Sequence, residues 1–132
     1  MKNKLFKSSD FGRLAGMTKR ALRYYREKGI LEPDYINHEG YCFYSEKKLF
    51  EARQISTLRY LEFSVEQIKE IQKNDMSIKQ SLMYQKRLLT EKRMELNLLI
   101  DAIERMEVAV EQNDAIDWEG MEEIVRFTKR AS

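Results

Sequence analysis

The chain has 132 residues, of which 42% are hydrophobic and 35% charged, with one proline and five glycines. This length allows one domain with a modest core, and the composition favours a mostly helical protein. The sequence has no run of about 18 apolar residues and no signal-peptide core, so we expect a cytoplasmic protein that does not enter a membrane. The single cysteine excludes an internal disulfide and any multi-thiolate metal site.

Charge is divided unevenly along the chain. Residues 1–60 hold 13 Lys and Arg against 7 Asp and Glu, whereas residues 61–132 hold 11 against 15. The first part therefore has a balance of +6 and the second a balance of −4. This asymmetry indicates a polyanionic partner that contacts only one end of the molecule.

The first predicted helix ends at Ala15. Either Ser8 or Ser9 can cap it, because a serine side chain accepts a hydrogen bond from an N–H group of the first turn. Phe11, Leu14 and Ala15 fall at helical spacing, so we expect them to form its buried face.

A second short helix is predicted over residues 18–28. Gly16 allows a tight turn before it, Thr18 can cap it, and Gly29 ends it, which together form a helix-turn-helix layout. Its apolar and basic residues separate onto two sides, as suits a helix in a DNA groove. The alternative is a solvated surface helix, for which so many unpaired cations would be unusual. The two sets are Ala21, Leu22 and Tyr25, and Lys19, Arg20, Arg23 and Arg26.

Residues 35–36 and 41–44 are predicted to form a β-hairpin. Both runs favour strands, and Asn37-His38-Glu39-Gly40 between them is typical of a turn. A hairpin beside a recognition helix forms a wing, which commonly reaches along the phosphate backbone.

Two further helices are predicted over residues 46–61 and 65–72. Ser45 can cap the first, and Ser64 with Gln67 fits a capping box that starts the second. Phe63, which precedes Ser64, is suited to a hydrophobic staple. The apolar positions of the two helices are Leu49, Phe50, Ile55, Leu58, Leu61, Ile68 and Ile71.

Residues 76–112 contain neither proline nor glycine. Alternating steps of four and three residues meet apolar side chains at eight of ten positions, which is the pattern of a coiled coil. A helix of this length spans about 50–55 Å and cannot bury the seam within so small a chain, so we expect a second copy as its partner. The alternative, folding back onto its own domain, suits only the first two turns. The seam positions are Ile78, Leu82, Gln85, Leu89, Lys92, Leu96, Leu99, Ile103, Met106 and Val110.

A last helix is predicted over residues 118–129, with Asp117 as its cap. Its apolar side chains are expected to pack near the end of the coiled coil. We thus predict three segments: a DNA-binding domain over 1–74, a dimerisation helix over 75–112 and a short helical segment over 113–132. The apolar set of the last segment is Trp118, Met121, Ile124, Val125 and Phe127.

Three stretches together resemble the MerR family of bacterial transcription regulators. They are FGRLAGMTKRALRYYREKGIL at 11–31, Gly40-Tyr41 with Tyr44-Ser45, and LRYLEFSVEQIKEI at 58–71. The resemblance covers residues 6–72, and the long helix continues it to residue 112. Within the family, the DNA-binding part is most similar to the multidrug-sensing branch.

This resemblance implies a mainly α protein, with a winged helix-turn-helix DNA-binding domain, a small β-hairpin wing and a long coiled-coil dimerisation helix. It implies a homodimer joined by antiparallel helices that binds double-stranded DNA at a palindromic promoter operator. In the family, the ligand-bound dimer kinks and untwists the promoter spacer so that RNA polymerase engages, which is indirect readout. A small-molecule effector is therefore a further expected partner.

The resemblance also implies which residues bind DNA. Lys19 and Arg20 match positions that approach the groove. Arg59 matches a basic position that reaches phosphate, in a second wing between the helices at 46–61 and 65–72. The family commonly has arginine after the hairpin Gly-Tyr, where this sequence has Cys42. The complete set is Thr18, Lys19, Arg20, Arg23, Tyr24, Tyr25, Tyr41 and Arg59.

Other chemistry has little support in the sequence. Cys42 could sense oxidants or electrophiles, but a thiol between aromatic residues in a strand is more often inert. His38 alone does not make a metal site, and no nucleophile–base set or Gly-rich phosphate loop is visible, so we expect neither an enzyme nor a cofactor. The alternative function is a coiled-coil interaction protein that pairs with a different chain, with DNA binding secondary.

Overall fold

The computed structural model describes residues 4–131, with side chains for residues 4–127. The chain divides into two compact units, Met1–Ser81 and Leu82–Ser132. The predicted mainly helical fold with a small β wing and a long C-terminal helix is confirmed. The elements are β1 (Leu5–Lys7), α1 (Ser8–Ala15), α2 (Lys19–Glu27), β2 (Tyr35–Ile36), β3 (Cys42–Ser45), α3 (Lys47–Tyr60), α4 (Val65–Gln72), α5 (Ile78–Glu111) and α6 (Trp118–Ala131).

The turn between α1 and α2 is built from close backbone contacts. Gly16 follows α1 with a φ of 69°, in the left-handed region, and the Met17 N–H donates to the Gly12 carbonyl at 2.8 Å. A Cβ on Gly12 would lie only 2.6 Å from the Met17 carbonyl oxygen, so a glycine is required there. The predicted cap of α2 is confirmed, because the Thr18 hydroxyl accepts from the Ala21 N–H at 3.0 Å.

The sheet has three antiparallel strands in the order β1-β3-β2. The predicted hairpin is confirmed, with Tyr35 opposite Phe43. The Asn37 side-chain oxygen closes its turn by accepting from the Tyr41 N–H at 2.8 Å, and Gly40 takes a φ of 87°. Strand β1 was not predicted; it pairs Phe6 with Tyr44 and covers the other edge of β3.

Two predicted helix caps are wrong, because the serine residues concerned form hydrogen bonds in or beside the sheet. Ser8 lies inside α1, where its hydroxyl donates to the Cys42 carbonyl at 3.3 Å. The N-cap residue of α1 is Lys7, whose side chain makes no capping hydrogen bond. Ser45 is the last residue of β3, and its N–H donates to Asp34 Oδ2 at 2.7 Å, so Glu46 stands at the start of α3 instead.

The core of the first unit joins both helices of the helix-turn-helix to the sheet and to α3 and α4. Tyr44 stacks on Phe11 with ring centroids 4.5 Å apart, and the predicted capping box of Ser64 and Gln67 is present. The prediction that Leu14 is buried is wrong, because its side chain is 54% exposed. Two of the apolar positions of the following helix are also exposed, Phe50 at 66% and Leu61 at 40%. The buried residues are Phe11, Leu22, Ile30, Leu31, Tyr44, Ala52, Ile55, Phe63, Val65 and Ile68.

The second unit contains the main length of α5, together with α6. The predicted cap of α6 is confirmed, since Asp117 Oδ1 accepts from the Gly120 N–H at 3.1 Å. Asn113 follows α5 with a φ of 60°, which ends the long helix in the left-handed region. None of the helices in residues 4–131 is long and apolar enough to cross a membrane.

Candidate nucleic-acid interface

Helix α2 has one buried side and one exposed cationic side, as predicted. Leu22 is buried in the core, and Tyr25 packs partly against it. On the opposite side no described carboxylate forms an ion pair with the basic side chains. These exposed cations are Lys19, Arg20, Arg23 and Arg26.

The C-terminal end of α2 is held by a Schellman motif. The Ile30 N–H donates to the Tyr25 carbonyl and the Gly29 N–H to the Arg26 carbonyl, both at 3.0 Å. Gly29 takes the required left-handed conformation with a φ of 76°, and Ile30 enters the core. The helix is therefore fixed at both ends, which presets the positions of its cations.

The tyrosine pair lies at the edge of this cationic side. The rings of Tyr24 and Tyr25 are 5.7 Å apart and tilted by 55°, and Tyr24 is the more exposed of the two. The ammonium of Lys28 lies 5.8 Å from the centre of the Tyr24 ring, in cation–π range. The Tyr24 ring thus lies beside a positive charge.

A concave surface of about 470 Å³ lies between α2 and the hairpin, and we call it the wing cleft. It brings together three residues that the sequence predicted to bind DNA: Lys19, Arg23 and Tyr41. It also contains Lys7 and Arg26, which the predicted set omits. The full lining is Lys7, Ser8, Ser9, Lys19, Leu22, Arg23, Arg26, Gly40, Tyr41, Cys42 and Tyr44.

The sequence gives little indication that Lys7 and Arg26 line the wing cleft. Arg26 belongs to the basic set of α2, but nothing local indicates that it reaches the hairpin. Lys7 is adjacent to the cleft only because β1 pairs with β3, placing Lys7 opposite Phe43. Long-range strand pairing is what completes this part of the lining.

Other predicted DNA-binding residues lie outside the wing cleft. The Thr18 hydroxyl caps α2, and Arg20 is exposed on the same helix. Arg59 lies in the last turn of α3, where its Nη1 donates to the Phe63 carbonyl at 3.0 Å. This bond closes the turn at Glu62, whose φ is 67°. Arg59 thus has a structural bond in addition to its predicted role.

Tyr44 lies at the base of the wing cleft and is buried. Burial raises the pKa of its hydroxyl, the nearby Cys42 raises it further, and the positive charge of Arg26 opposes the shift. The phenol therefore stays neutral to higher pH than an exposed tyrosine.

The predicted dimerisation seam is exposed along α5. Six of its seven apolar positions between residues 82 and 110 are between 36% and 60% exposed, and Met106 is half-buried. The polar seam residue Gln85 is only 5% exposed and so is covered within the single chain. The exposed seam residues are Leu82, Leu89, Leu96, Leu99, Ile103 and Val110.

The first unit has a second concave surface, of about 610 Å³, which we call the apolar groove. It lies among α3, α4 and the first turn of α5, and its exposed apolar side chains include Phe50 and Ile78. Within residues 4–127, no group of three or more His, Cys, Asp or Glu side chains is placed to hold a metal ion. The groove lining is Phe50, Arg53, Gln54, Ile55, Thr57, Leu58, Ile68, Ile71, Gln72 and Ile78.

Comparison with known sequences identifies a family. Residues 6–75, just over half of the chain, match the family described as MerR HTH family regulatory protein. Over 63 residues the chain is 33% identical to the HTH-type transcriptional regulator CueR of Salmonella typhi, which covers 48% of this chain and 46% of that protein. The chain thus spans about half the length of the curated relatives it matches.

Comparison with solved structures agrees. A MerR-family transcriptional regulator from Bacillus cereus has the same fold, with a TM-score of 0.72 at 19% identity, covering 98% of this chain and 100% of that chain. EcmrR, from the cryo-EM structure of the EcmrR–DNA complex in EcmrR-RPo, has a TM-score of 0.70 at 25% identity, covering 84% of this chain and 41% of that chain. The matched DNA-binding segment and the shared fold confirm the resemblance, and the chain belongs to the MerR family of helix-turn-helix regulatory proteins.

Proposed function

We propose that this chain regulates transcription by binding promoter DNA through α2 and the wing. The observation that carries this proposal is the exposed cationic side of α2, which continues into a cleft with no carboxylate in its lining. Cations in this arrangement neutralise backbone phosphates, and a helix in the major groove reaches base edges. The named relatives are regulators rather than enzymes, which supports this class of function.

Each predicted DNA-binding residue has a proposed role. Lys19 and Arg20, in the first turn of α2, enter the groove, and Arg23 contacts a base or a phosphate. Tyr24 and Tyr25 clamp the backbone, because a phenol donates to phosphate and its ring packs against the sugar. The remaining members of the set are Thr18, which caps α2, Tyr41 beside the hairpin and Arg59 at the end of α3, and the last two reach backbone phosphate.

The functional unit of this proposal is a homodimer. A row of apolar side chains as exposed as that of α5 is costly in water, and a second copy in antiparallel register buries it with matching chemistry. The same pairing sets two copies of α2 at a fixed separation. A palindromic operator with two half-sites is the DNA that such a dimer fits.

Regulation then follows from DNA deformation. Contacts at both half-sites stabilise a bent and untwisted spacer between them, which the protein need not touch. RNA polymerase engages the promoter in this deformed state. The structure of EcmrR with DNA in EcmrR-RPo supports DNA and polymerase as partners of a protein with this fold.

We also propose an effector site between two apolar surfaces. Helix α6 exposes Trp118, Val125 and Phe127, and the apolar groove exposes Phe50 and Ile78. In a dimer, α6 of one copy and the groove of the other would enclose a small apolar ligand. The variant Trp118→Ala should abolish the response to any such ligand, and an unchanged response would remove α6 from the site.

Selection of bound duplexes from a random DNA pool tests the proposed function directly. We expect a palindrome whose two half-sites have a constant spacing, because the dimer sets the distance between the two α2 helices. A single half-site would contradict the dimer, and no enrichment at all would contradict DNA binding.

A size measurement separates this function from the alternative of an interaction protein. The chain has a mass of 15.8 kDa, so the proposed homodimer has twice that mass in isolation. A monomer that enters a larger complex only with a different chain would favour the alternative.

A further inference from the structure

The wing cleft is a preformed surface. Its base includes Leu22 and Tyr44, which belong to the buried core. Tyr44 is in turn stacked on Phe11. Close-packed core residues move little, so the helix and strands that carry the lining side chains are held in place before any ligand arrives.

All charged side chains that line the wing cleft are positive. Lys7 from β1 and Lys19, Arg23 and Arg26 from α2 line it, and no Asp or Glu is in the lining. Among the residues with described side chains, no carboxylate forms an ion pair with any of these four cations. Like charges around a concavity with an apolar base create a strong local potential for an anion.

Arg26 is attached to the wing through sulfur. Its Nη1 donates to the Cys42 Sγ at 3.2 Å, joining α2 to β3. A guanidinium has five N–H donors, and a thiol is a weak, uncharged acceptor, so this contact orients Arg26 without neutralising it. Most of its donors remain available to an anion in the cleft.

Neutral donors stand beside these cations. Ser9 is exposed at the start of α1 and belongs to the lining of the wing cleft, where its hydroxyl is a neutral donor. Ser8 ties the same end of α1 to the wing, through its hydrogen bond to the Cys42 carbonyl. Cys42 in β3 is thus bonded to both α1 and α2.

We propose that the wing cleft holds one phosphate of the DNA backbone, with Arg26 as the binding cation and Cys42 as the residue that positions it. This inference rests on the proposed DNA-binding function and adds to it a contact outside the predicted set. An open cationic cleft suits a duplex backbone, whereas small-molecule pockets are mostly apolar and enclosed.

The test measures the affinity of the full-length chain for its selected duplex over a series of salt concentrations. The variant Arg26→Ala should bind about 100-fold more weakly, because each of the two copies in the dimer loses one charge-assisted hydrogen bond, typically worth about tenfold. Because the dimer has two wing clefts, its plot of log affinity against log salt should be shallower by about 1.8, which corresponds to two phosphates at about 0.9 each. The control Arg13→Ala, whose side chain is exposed and paired with Asp10 away from the cleft, should match the wild type.

The positioning role of Cys42 has a separate test. Cys42→Val keeps a strand-favouring apolar side chain but removes the acceptor, and it should weaken binding, whereas Cys42→Ser keeps an acceptor and should have a smaller effect. In an Arg26→Ala background, Cys42→Val should have no further effect, because its role acts through Arg26. Melting temperatures of all variants establish that the fold is retained.

The outcomes distinguish this inference from the proposed function. An Arg26→Ala protein with a normal melting temperature, full affinity and the full salt slope overturns the phosphate site. If Arg23→Ala still lowers the slope in the same experiment, DNA binding through α2 survives. If the wild type enriches no duplex, the proposed function fails and the inference fails with it. A Cys42→Val effect that persists without Arg26 overturns the positioning role alone.

Discussion

At the scale of the residue, close packing of the backbone around α2 restricts which amino acid can occupy position 12. Gly12 lies inside α1, a position at which glycine normally weakens a helix. It is needed because the Met17 carbonyl approaches it so closely that a Cβ would lie 2.6 Å from that oxygen. The helix propensity of residue 12 is therefore subordinate to the turn that orients α2.

The variant Gly12→Ala should lower the free energy of unfolding by about 1–3 kcal/mol, the usual cost of forcing extra volume into a packed site. Urea denaturation measures this change. The control is Gly16→Asn, because Gly16 has open space around it and asparagine tolerates its left-handed conformation. Equal stability of Gly12→Ala and the wild type would contradict the close contact.

The raised pKa of Tyr44 predicts a loss of stability in alkali. The folded state holds the phenolic proton more tightly than the unfolded chain, so this stabilisation is complete below the unfolded pKa of about 10 and disappears as pH rises through the folded pKa. Melting temperatures of the wild type should therefore fall above pH 10, and those of Tyr44→Phe should fall less. Parallel curves for the two proteins would show that Tyr44 is not responsible.

Helix α2 is the element on which the proposed function depends most. The Thr18 cap starts the helix, a Schellman motif at Gly29 ends it, and the buried Leu22 orients it. Its cationic side therefore follows from local structure. In contrast, the surface that this side faces depends on the sheet, because the hairpin and β1 form the other wall of the wing cleft.

The variant Arg23→Ala should weaken operator binding and reduce its dependence on salt, because one cation of α2 no longer displaces a counterion. Affinity measured between 50 and 200 mM salt, the range over which such contacts act strongly, is the readout. Arg23→Lys is the conservative comparison and should retain the salt dependence. Unchanged binding by Arg23→Ala would remove α2 from its recognition role.

The exposed seam of α5 has its consequences at the scale of the whole molecule. The proposed dimer buries Leu99, whereas Leu98, of similar exposure, lies one position away from the seam. Leu99→Asp places a charge in the interface and should dissociate the dimer and abolish tight binding to a two-half-site operator. Leu98→Asp should leave both unchanged.

Sedimentation or light scattering distinguishes the two outcomes, with twice 15.8 kDa as the mass of the dimer. A Leu99→Asp protein that remains dimeric would place the interface elsewhere. Ile103→Asp is a second seam variant and should behave like Leu99→Asp, because Ile103 is one step further along the same row.

The sequence alone determined the features of this protein that depend on local hydrogen bonds and helical periodicity. The caps at Thr18, Ser64 and Asp117 and the turn at Asn37 were predicted correctly because donor and acceptor lie within four residues of each other. The family could also be recognised from the sequence, since its motifs occur at fixed spacing in the first half of the chain.

Only the tertiary structure decided which apolar helix faces are buried and which partners the polar groups bind. Periodicity places Leu14 and Phe50 on apolar sides of their helices but does not say where the neighbouring element ends, and both are exposed. Ser8 and Ser45 do not cap helices, because their partners lie far away in the sequence. Ser8 donates to the Cys42 carbonyl, 34 residues away, and the Ser45 N–H donates to Asp34, 11 residues away. The contact of Arg26 with Cys42 arises in the same way, since only the packing of the wing against α2 brings a guanidinium and a thiol together.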